Sequence, residues 1–132
     1  MKILIEPSTK NNLYQDITTG IILSLDKYAV QSNVYFKLDE IKEIRKNNPN
    51  LEIFININKN LSNDDIEPIS EILKELDNLN IQGIFFYDLA IPKLKKELNL
   101  KTDLVWSQTH MVNNYKTCNY YHSKGVKYAL LG

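Results

Sequence analysis

Cysteine is nearly absent from this sequence, which contains a single one, Cys118. One thiol cannot form a disulfide within the chain, and it cannot supply the set of thiolates that a structural zinc site requires. Glycine and proline are also scarce, with four of each. No glycine-rich phosphate loop, HExxH zinc motif or GxSxG nucleophile motif occurs. The residue chemistry alone therefore does not indicate a reaction.

Net charge is missing as well, because the 16 basic residues balance the 16 acidic ones. This balance argues against a surface built to bind nucleic acid or an anionic membrane. No apolar run approaches the roughly 18 residues of a membrane span. The start, MKILIEP, is too short for the hydrophobic region of a signal peptide. These absences predict a cytoplasmic protein that does not contact a membrane.

What the sequence does contain is an alternation of short apolar segments and amphipathic helical patterns. Its 132 residues suit one domain with one core. We predict strands at residues 3–5, 28–30, 51–58, 83–88, 104–107 and 128–131. The apolar spacing between them predicts helices at residues 13–25, 38–44, 66–79, 91–98 and 115–122, with Ser62 and Asp65 as a capping pair before the third.

Strands that alternate with amphipathic helices indicate a parallel sheet covered by helices. Both a doubly wound open sheet and a (β/α)8 barrel of about 250 residues fit this pattern. The chain ends at Leu131-Gly132, directly after its last strand, whereas an open-sheet domain usually ends with a helix. We therefore predict an α/β fold of parallel βα repeats: a partial, about six-stranded TIM-barrel-like domain over residues 1–132, truncated after the sixth strand.

Polar side chains follow the predicted strands, at the end where such folds bind their ligands. The segment SQTH, at residues 107–110, is the richest of these strand ends. We predict that a polar ligand is oriented by hydrogen bonds from Glu6, Asn56, Asn58, Gln108, Thr109 and Asn113. Asp88 and His110 are the candidates for proton transfer. No metal site is predicted.

Each candidate also has a structural interpretation. Asn56 and Asn58 fit a hydrogen-bond network inside a barrel equally well, and Asp88 is placed to cap the helix that follows it. A histidine in a loop, such as His110, is more often simply solvated. Trp106 is expected in the core or as a stacking wall, and Cys118 is expected to pack rather than to react.

Residues 81–132 resemble the U32 (collagenase-like) peptidase family. The similar segments are IQGIFFYDLAIPKLKKEL and LVWSQTHMVNNYKTCNYYHSKGVKYALL, and LEIFININKNLSNDD is similar to the family's third strand and the loop after it. The resemblance implies a TIM-barrel-like N-terminal domain and, by the family name, peptidase activity. Several bacterial relatives are instead implicated in hydroxylation of tRNA wobble uridine or of ribosomal RNA, with prephenate as an associated metabolite. The resemblance therefore also implies tRNA modification as an expected activity.

The sequence departs from the family pattern in three places. It ends at Leu131-Gly132, where the family's Arg-Glu-Leu would follow. It lacks the later segment whose cysteines hold an iron–sulfur cluster in longer relatives, so we expect no cofactor in this chain. Its first strand reads LIEPST, where many members have an Ala-Pro-Ala-Gly turn.

The leading hypothesis is therefore a U32 peptidase-like protein, a protease or hydrolase with a peptide or tRNA substrate. The alternative is a truncated barrel without catalysis that acts as a binding or assembly module. Exposed parallel strand edges promote association, so such a module would pair as a homodimer or with a missing C-terminal part of the same protein. A doubly wound nucleotide-binding domain ranks last, because the first turn has no glycine-rich loop.

Overall fold

A computed structural model describes residues 3–10, 20–107 and 114–130. Within them, six strands form one parallel sheet in the order β1-β2-β3-β4-β5-β6. The strands are β1 (Leu4–Ile5), β2 (Gly20–Ser24), β3 (Glu52–Ile57), β4 (Gly83–Phe86), β5 (Asp103–Trp106) and β6 (Tyr128–Ala129). The helices described are α1 (Leu38–Asn47), α2 (Asn63–Asn78), α3 (Ala90–Glu97) and α4 (Tyr115–Ser123).

The strand order decides between the two architectures. Every strand pairs in parallel with the next strand of the sequence. A doubly wound sheet reverses its order at a switch point, whereas a barrel adds its strands consecutively. The fold is therefore a curled half-barrel of βα repeats, and the predicted partial TIM-barrel-like architecture is confirmed.

The second strand lies earlier in the chain than predicted, so the predictions of a helix through residue 25 and a strand at 28–30 are wrong. Ile21 and Leu23 lie within β2 and are fully buried. A strand buried on both faces is a continuous apolar run, and GIILSL matches helical spacing equally well. Tyr28 instead lies in a turn, where its N–H donates to the Leu25 carbonyl at 3.1 Å. Residues 11–19 lie outside the described ranges.

The core lies between the sheet and the helices. Alternate residues of β3, namely Ile53, Ile55 and Ile57, face the helices and are fully buried. They pack with the apolar stripes of α1, α2 and α3. Burying one such side chain contributes about 1.5–3 kcal/mol, so this layer dominates the stability of the fold. Trp106, which is 1% exposed, belongs to the same layer, as predicted.

Helix ends are formed without glycine at two positions. Asn80 and Asn99 follow α2 and α3 with φ of 55° and 54°, the left-handed conformation that ends many helices. Asparagine tolerates this conformation better than other non-glycine residues, which suits a glycine-poor chain. At the other end of α2, the Ser62 N–H donates to the Asp65 carboxylate at 2.9 Å, and this confirms the predicted capping pair.

Arg45 stabilises the loops that lead into β3 and β4, at the edge of the sheet where these strands begin. Its guanidinium group donates five hydrogen bonds, to the carbonyls of Asn48, Pro49, Leu51 and Asn80 and to the side-chain oxygen of Gln82. The same Gln82 oxygen accepts the Ile53 N–H at 2.6 Å. One side chain therefore joins the loop after α1 to the loop after α2. None of the helices in the described ranges is long and apolar enough to cross a membrane.

Candidate functional site

The inner face of the half-barrel carries a cavity of about 560 Å³ at the C-terminal edge of the sheet. We call this cavity the basin. It is lined by Glu6, Ile22, Val30, Gln31, Asn56, Asn58, Lys59, Asn60, Phe85, Tyr87, Ser107 and Leu130. Its volume lies within the range of about 300–1,000 Å³ that is typical of ligand sites.

Strand register explains why these residues meet. Asn56 of β3 is paired with Phe85 of β4, which is paired with Val105 of β5. Side chains on one face of a strand recur every second residue. The next residues on the inner face are therefore Asn58, Tyr87 and Ser107, and they form a second layer at the mouth of the basin.

The basin has an apolar floor and a polar rim. Ile22 and Phe85 form the floor, and the Phe85 ring meets the Phe54 ring edge-on with centroids 5.7 Å apart. Side-chain amides and one hydroxyl, from Asn56, Asn60 and Ser107, line the cavity above it. This combination suits a ligand with an apolar group and several hydrogen-bonding groups.

Asn58 uses its amide to hold the loop that forms one wall of the basin. The Val30 N–H donates to Asn58 Oδ1 at 2.7 Å, and Asn58 Nδ2 donates to the Val30 carbonyl at 3.1 Å. The adjacent Gln31, which also lines the basin, has a φ of 57°. A non-glycine residue in this conformation costs roughly 1–2 kcal/mol, so the loop is held in place against strain. Asn58 therefore shapes the basin wall.

Asn56 is placed differently. Its Nδ2 donates a long hydrogen bond of 3.4 Å to the hydroxyl of Ser24, its register partner on β2. No other hydrogen bond of the Asn56 side chain to a described residue is present. Ser24 is 1% exposed, and the sequence pattern did not single it out because it was assigned to no strand end. Of the two predicted amide ligands that the structure describes, Asn56 and Asn58, Asn56 is thus the one whose amide makes fewer hydrogen bonds to the protein.

Among the residues that the structure describes, the charged ones that line the basin are Glu6 and Lys59. Glu6 follows β1, and its carboxylate accepts a hydrogen bond from the Ser32 hydroxyl at 3.4 Å. The Lys59 ammonium lies 3.6 Å from the Asp65 carboxylate and is 40% exposed. Lys59 and Asn60 were not predicted as site residues. The signal for them was their position directly after Asn58, at the end of β3.

Asp88 does not line the basin. One oxygen of its carboxylate accepts the Leu61 N–H at 2.8 Å, and the other accepts the Ala90 N–H, also at 2.8 Å. Asp88 therefore links the loop before α2 to the first turn of α3. It accepts a first-turn N–H, as a cap does, although Leu89 is the N-cap residue of α3. A role in proton transfer stays a prediction.

Four predicted site residues lie outside the described ranges: Gln108, Thr109, His110 and Asn113. The residues on either side of this gap are described. Before it, the Ser107 hydroxyl donates to the Phe86 carbonyl at 3.0 Å. After it, Asn114 caps α4 by accepting the Thr117 N–H at 2.9 Å.

A family model described as peptidase family U32 matches residues 10–132. The chain belongs to peptidase family U32. The match covers β2 to β6 and every lining residue of the basin except Glu6, so the basin is a feature of the U32 part of the chain. A search of curated proteins and a search of solved structures gave no match.

Metal and cofactor ligands were also considered among the described residues. No group of three or more His, Cys, Asp or Glu side chains in the described ranges is arranged to hold a metal ion. The iron–sulfur cluster that the resemblance implies for longer U32 relatives needs several cysteine thiolates. Cys118 is half-buried on α4 and is the single cysteine, so this chain does not fit such a cluster.

Proposed function

We propose that this chain forms the peptide-binding half-barrel of a U32 peptidase, and that the basin receives the substrate peptide. The observation that carries the proposal is the position of the basin. It lies at the C-terminal edge of consecutive parallel strands, where barrels of this class bind their substrates. Membership of the U32 family supports a peptide as the ligand.

The lining of the basin favours a peptide over RNA. A peptide backbone alternates N–H and C=O groups, and side-chain amides such as Asn56, Asn60 and Gln31 can both donate to it and accept from it. The apolar floor of Ile22 and Phe85 suits one substrate side chain. Binding of RNA depends on neutralised phosphates, and Lys59 is the one cation that lines the basin in the described ranges.

In the hydrolysis that we propose, a base takes a proton from water as the water attacks the peptide carbonyl, and a positive group stabilises the developing oxyanion. The base then returns the proton to the leaving amine. We propose Lys59 for stabilising the oxyanion, because this residue lines the basin. His110 is proposed as the base, three positions after Ser107. A histidine base gives a rate that rises with pH around its ordinary pKa of about 6.5.

The test is cleavage of a mixed peptide library, read by mass spectrometry, with peptide affinity measured separately by fluorescence anisotropy. Replacing Asn56 with leucine preserves the approximate volume and removes the amide. We expect about a tenfold loss of peptide affinity, corresponding to about 1.4 kcal/mol. The matched control is Asn47→Leu, which alters an exposed asparagine at the end of α1.

Two results would refute the proposal. One is a folded wild-type protein that neither binds nor cleaves any library peptide. The other is an Asn56→Leu variant with unchanged affinity, which would place the peptide elsewhere. A third result would instead support the tRNA function of some relatives. In it, deletion of the gene removes hydroxylated uridine from tRNA, and the protein shows no affinity for peptides.

The assembly alternative has one observation in its favour. In the described ranges the sheet ends at β1 and β6, and the apolar side chains there are exposed: Leu4 by 36% and Tyr128 by 49%. Open strand edges of this kind pair with other chains. A light-scattering mass of twice 15.4 kDa at micromolar concentration supports this alternative, and a stable monomer contradicts it.

A further inference from the structure

A second concave surface lies on the outside of the half-barrel, in the groove between α3 and α4. Its volume is about 290 Å³, and its floor is apolar. Leu89 and Tyr120 contribute to this floor although they are 52% and 58% exposed. Tyr121 lies between Tyr120 and Trp106, with ring centroids 5.2 Å and 4.0 Å from theirs. The floor therefore rests directly on the core.

The rim of the α3–α4 groove is positively charged. Lys93, Lys96 and Lys124 line it, and none of the acidic residues in the described part of the chain does. The Lys124 ammonium lies 5.6 Å from the centre of the Tyr120 ring. The ion pairs among described residues use other lysines, namely Lys10, Lys42, Lys59, Lys74 and Lys127. In a chain whose charges balance, these three cations form a local excess without acidic partners in the described ranges.

The packing of α4 differs from that of the other helices. Helices α1, α2 and α3 each bury at least two apolar side chains. None of the α4 residues is buried, although the helix carries Tyr115, Tyr120 and Tyr121. Exposed apolar surface that is framed by polar groups is typical of protein interaction sites. The described part of the chain thus leaves the α4 side of the groove uncovered.

We propose that the α3–α4 groove binds an acidic amphipathic segment of a partner protein. An apolar side chain of the partner fills the floor, and its carboxylates lie near the three lysines. Helical ligands of this kind place apolar residues about three or four positions apart in such grooves. Leu89 and Pro92 add aliphatic surface that suits an apolar side chain of a protein partner. Tyr120 is an exposed ring on which a base can stack, so nucleic acid is the competing ligand that the experiment tests.

The experiment uses the full chain and a defined probe. The probe is a fluorescein-labelled helical peptide of about 15 residues with leucine at every third or fourth position and glutamate between them. The reference probe has lysine in place of every glutamate, and an oligouridine tests for nucleic acid. Anisotropy titrations are performed at low and at physiological salt, because attraction between exposed charges weakens with salt.

We expect saturable binding of the acidic probe and no binding of the lysine probe. Lys93→Glu with Lys124→Glu should weaken acidic-probe binding about tenfold or more. The matched control, Lys46→Glu with Lys101→Glu, makes the same charge change at exposed positions outside the groove and should change affinity less than twofold. Tyr120→Ala should also weaken binding, whereas Tyr115→Ala, at a more exposed tyrosine outside the groove, should not.

Three outcomes would overturn the proposal, provided that circular dichroism shows each variant folded. The first is equal loss of affinity in the groove variant and its control, which would mean nonspecific attraction. The second is tighter binding of oligouridine than of the acidic probe. The third is a wild-type chain that shows no saturable binding of the acidic probe and is a dimer, while the groove variant is a monomer. In that case the groove binds a second copy of the chain.

Discussion

Replacing Arg45 with methionine removes the guanidinium group that joins two loops and preserves most of the apolar stem. Five hydrogen bonds are lost, and the shortest of them, to the Leu51 carbonyl, is 2.7 Å. Two of the five, to Pro49 and Asn80, are exposed, so water can replace Arg45 there. The other three are partly buried, and their acceptors lose a charged donor.

The expected magnitude follows from these contacts. A hydrogen bond to a charged group contributes about 1.5–3 kcal/mol, but bonds that share one group do not add in full. One opposing cost also disappears, because the Arg45 Nε is buried without a partner among the described residues. Burial lowers the pKa of the Arg45 guanidinium, in keeping with a desolvation cost for its charge. We expect a loss of about 2–3 kcal/mol in the free energy of unfolding.

Urea unfolding provides the measurement, with the fluorescence of Trp106 as the probe, since it is the single tryptophan and is buried. Arg45→Lys preserves the charge without the planar fork and should recover less than half of the loss. Lys46→Met, at the exposed neighbouring position, controls for the removal of a cation from the last turn of α1. A loss below about 0.5 kcal/mol for Arg45→Met, or full stability for Arg45→Lys, would refute the reasoning.

Two further predictions concern single side chains. Asn58→Ala removes both hydrogen bonds to Val30 and should lower the free energy of unfolding, measured in urea, by about 1–2 kcal/mol. An unchanged urea midpoint would mean that the loop at Val30 keeps its conformation without these hydrogen bonds. The Ser62 N–H holds the pKa of Asp65 below its ordinary value, so the stabilisation by this carboxylate is full above about pH 4 and is lost as pH falls through the lower, folded pKa. The stability difference between wild type and Asp65→Asn should therefore shrink in acid, and a difference that is independent of pH would contradict this cause.

Periodicity was a sound guide wherever a segment has one buried face. LEIFININ alternates with a period of two, and its burial alternates in the same way along β3. The stripes of α1, α2 and α3 bury the apolar residues that their spacing predicted, such as Ile41, Leu73 and Leu94. These segments signal their structure locally, because each must hide one side and hydrate the other.

Periodicity was misleading at β2, where both faces are covered and most residues are apolar. Local sequence pattern was equally insufficient for identifying the residues of the basin. The sequence identified polar residues at strand ends, but Asn56 and Asp88 were equivalent candidates on that basis. In the structure, Asn56 lines the basin and Asp88 binds two backbone N–H groups. Only the neighbours of each side chain distinguish the two cases.

The amino-acid sequence by itself determined the alternation of strands and helices, the U32 membership and the polar character of the strand ends, because these depend on local spacing and residue type. The tertiary structure decided the consecutive strand order, the place of β2, and the convergence of Glu6, Asn56 and Lys59 around one cavity. These features depend on pairing between residues far apart in the chain. The register of the strands and the curvature of the sheet bring these residues together, and no local sequence pattern encodes either property.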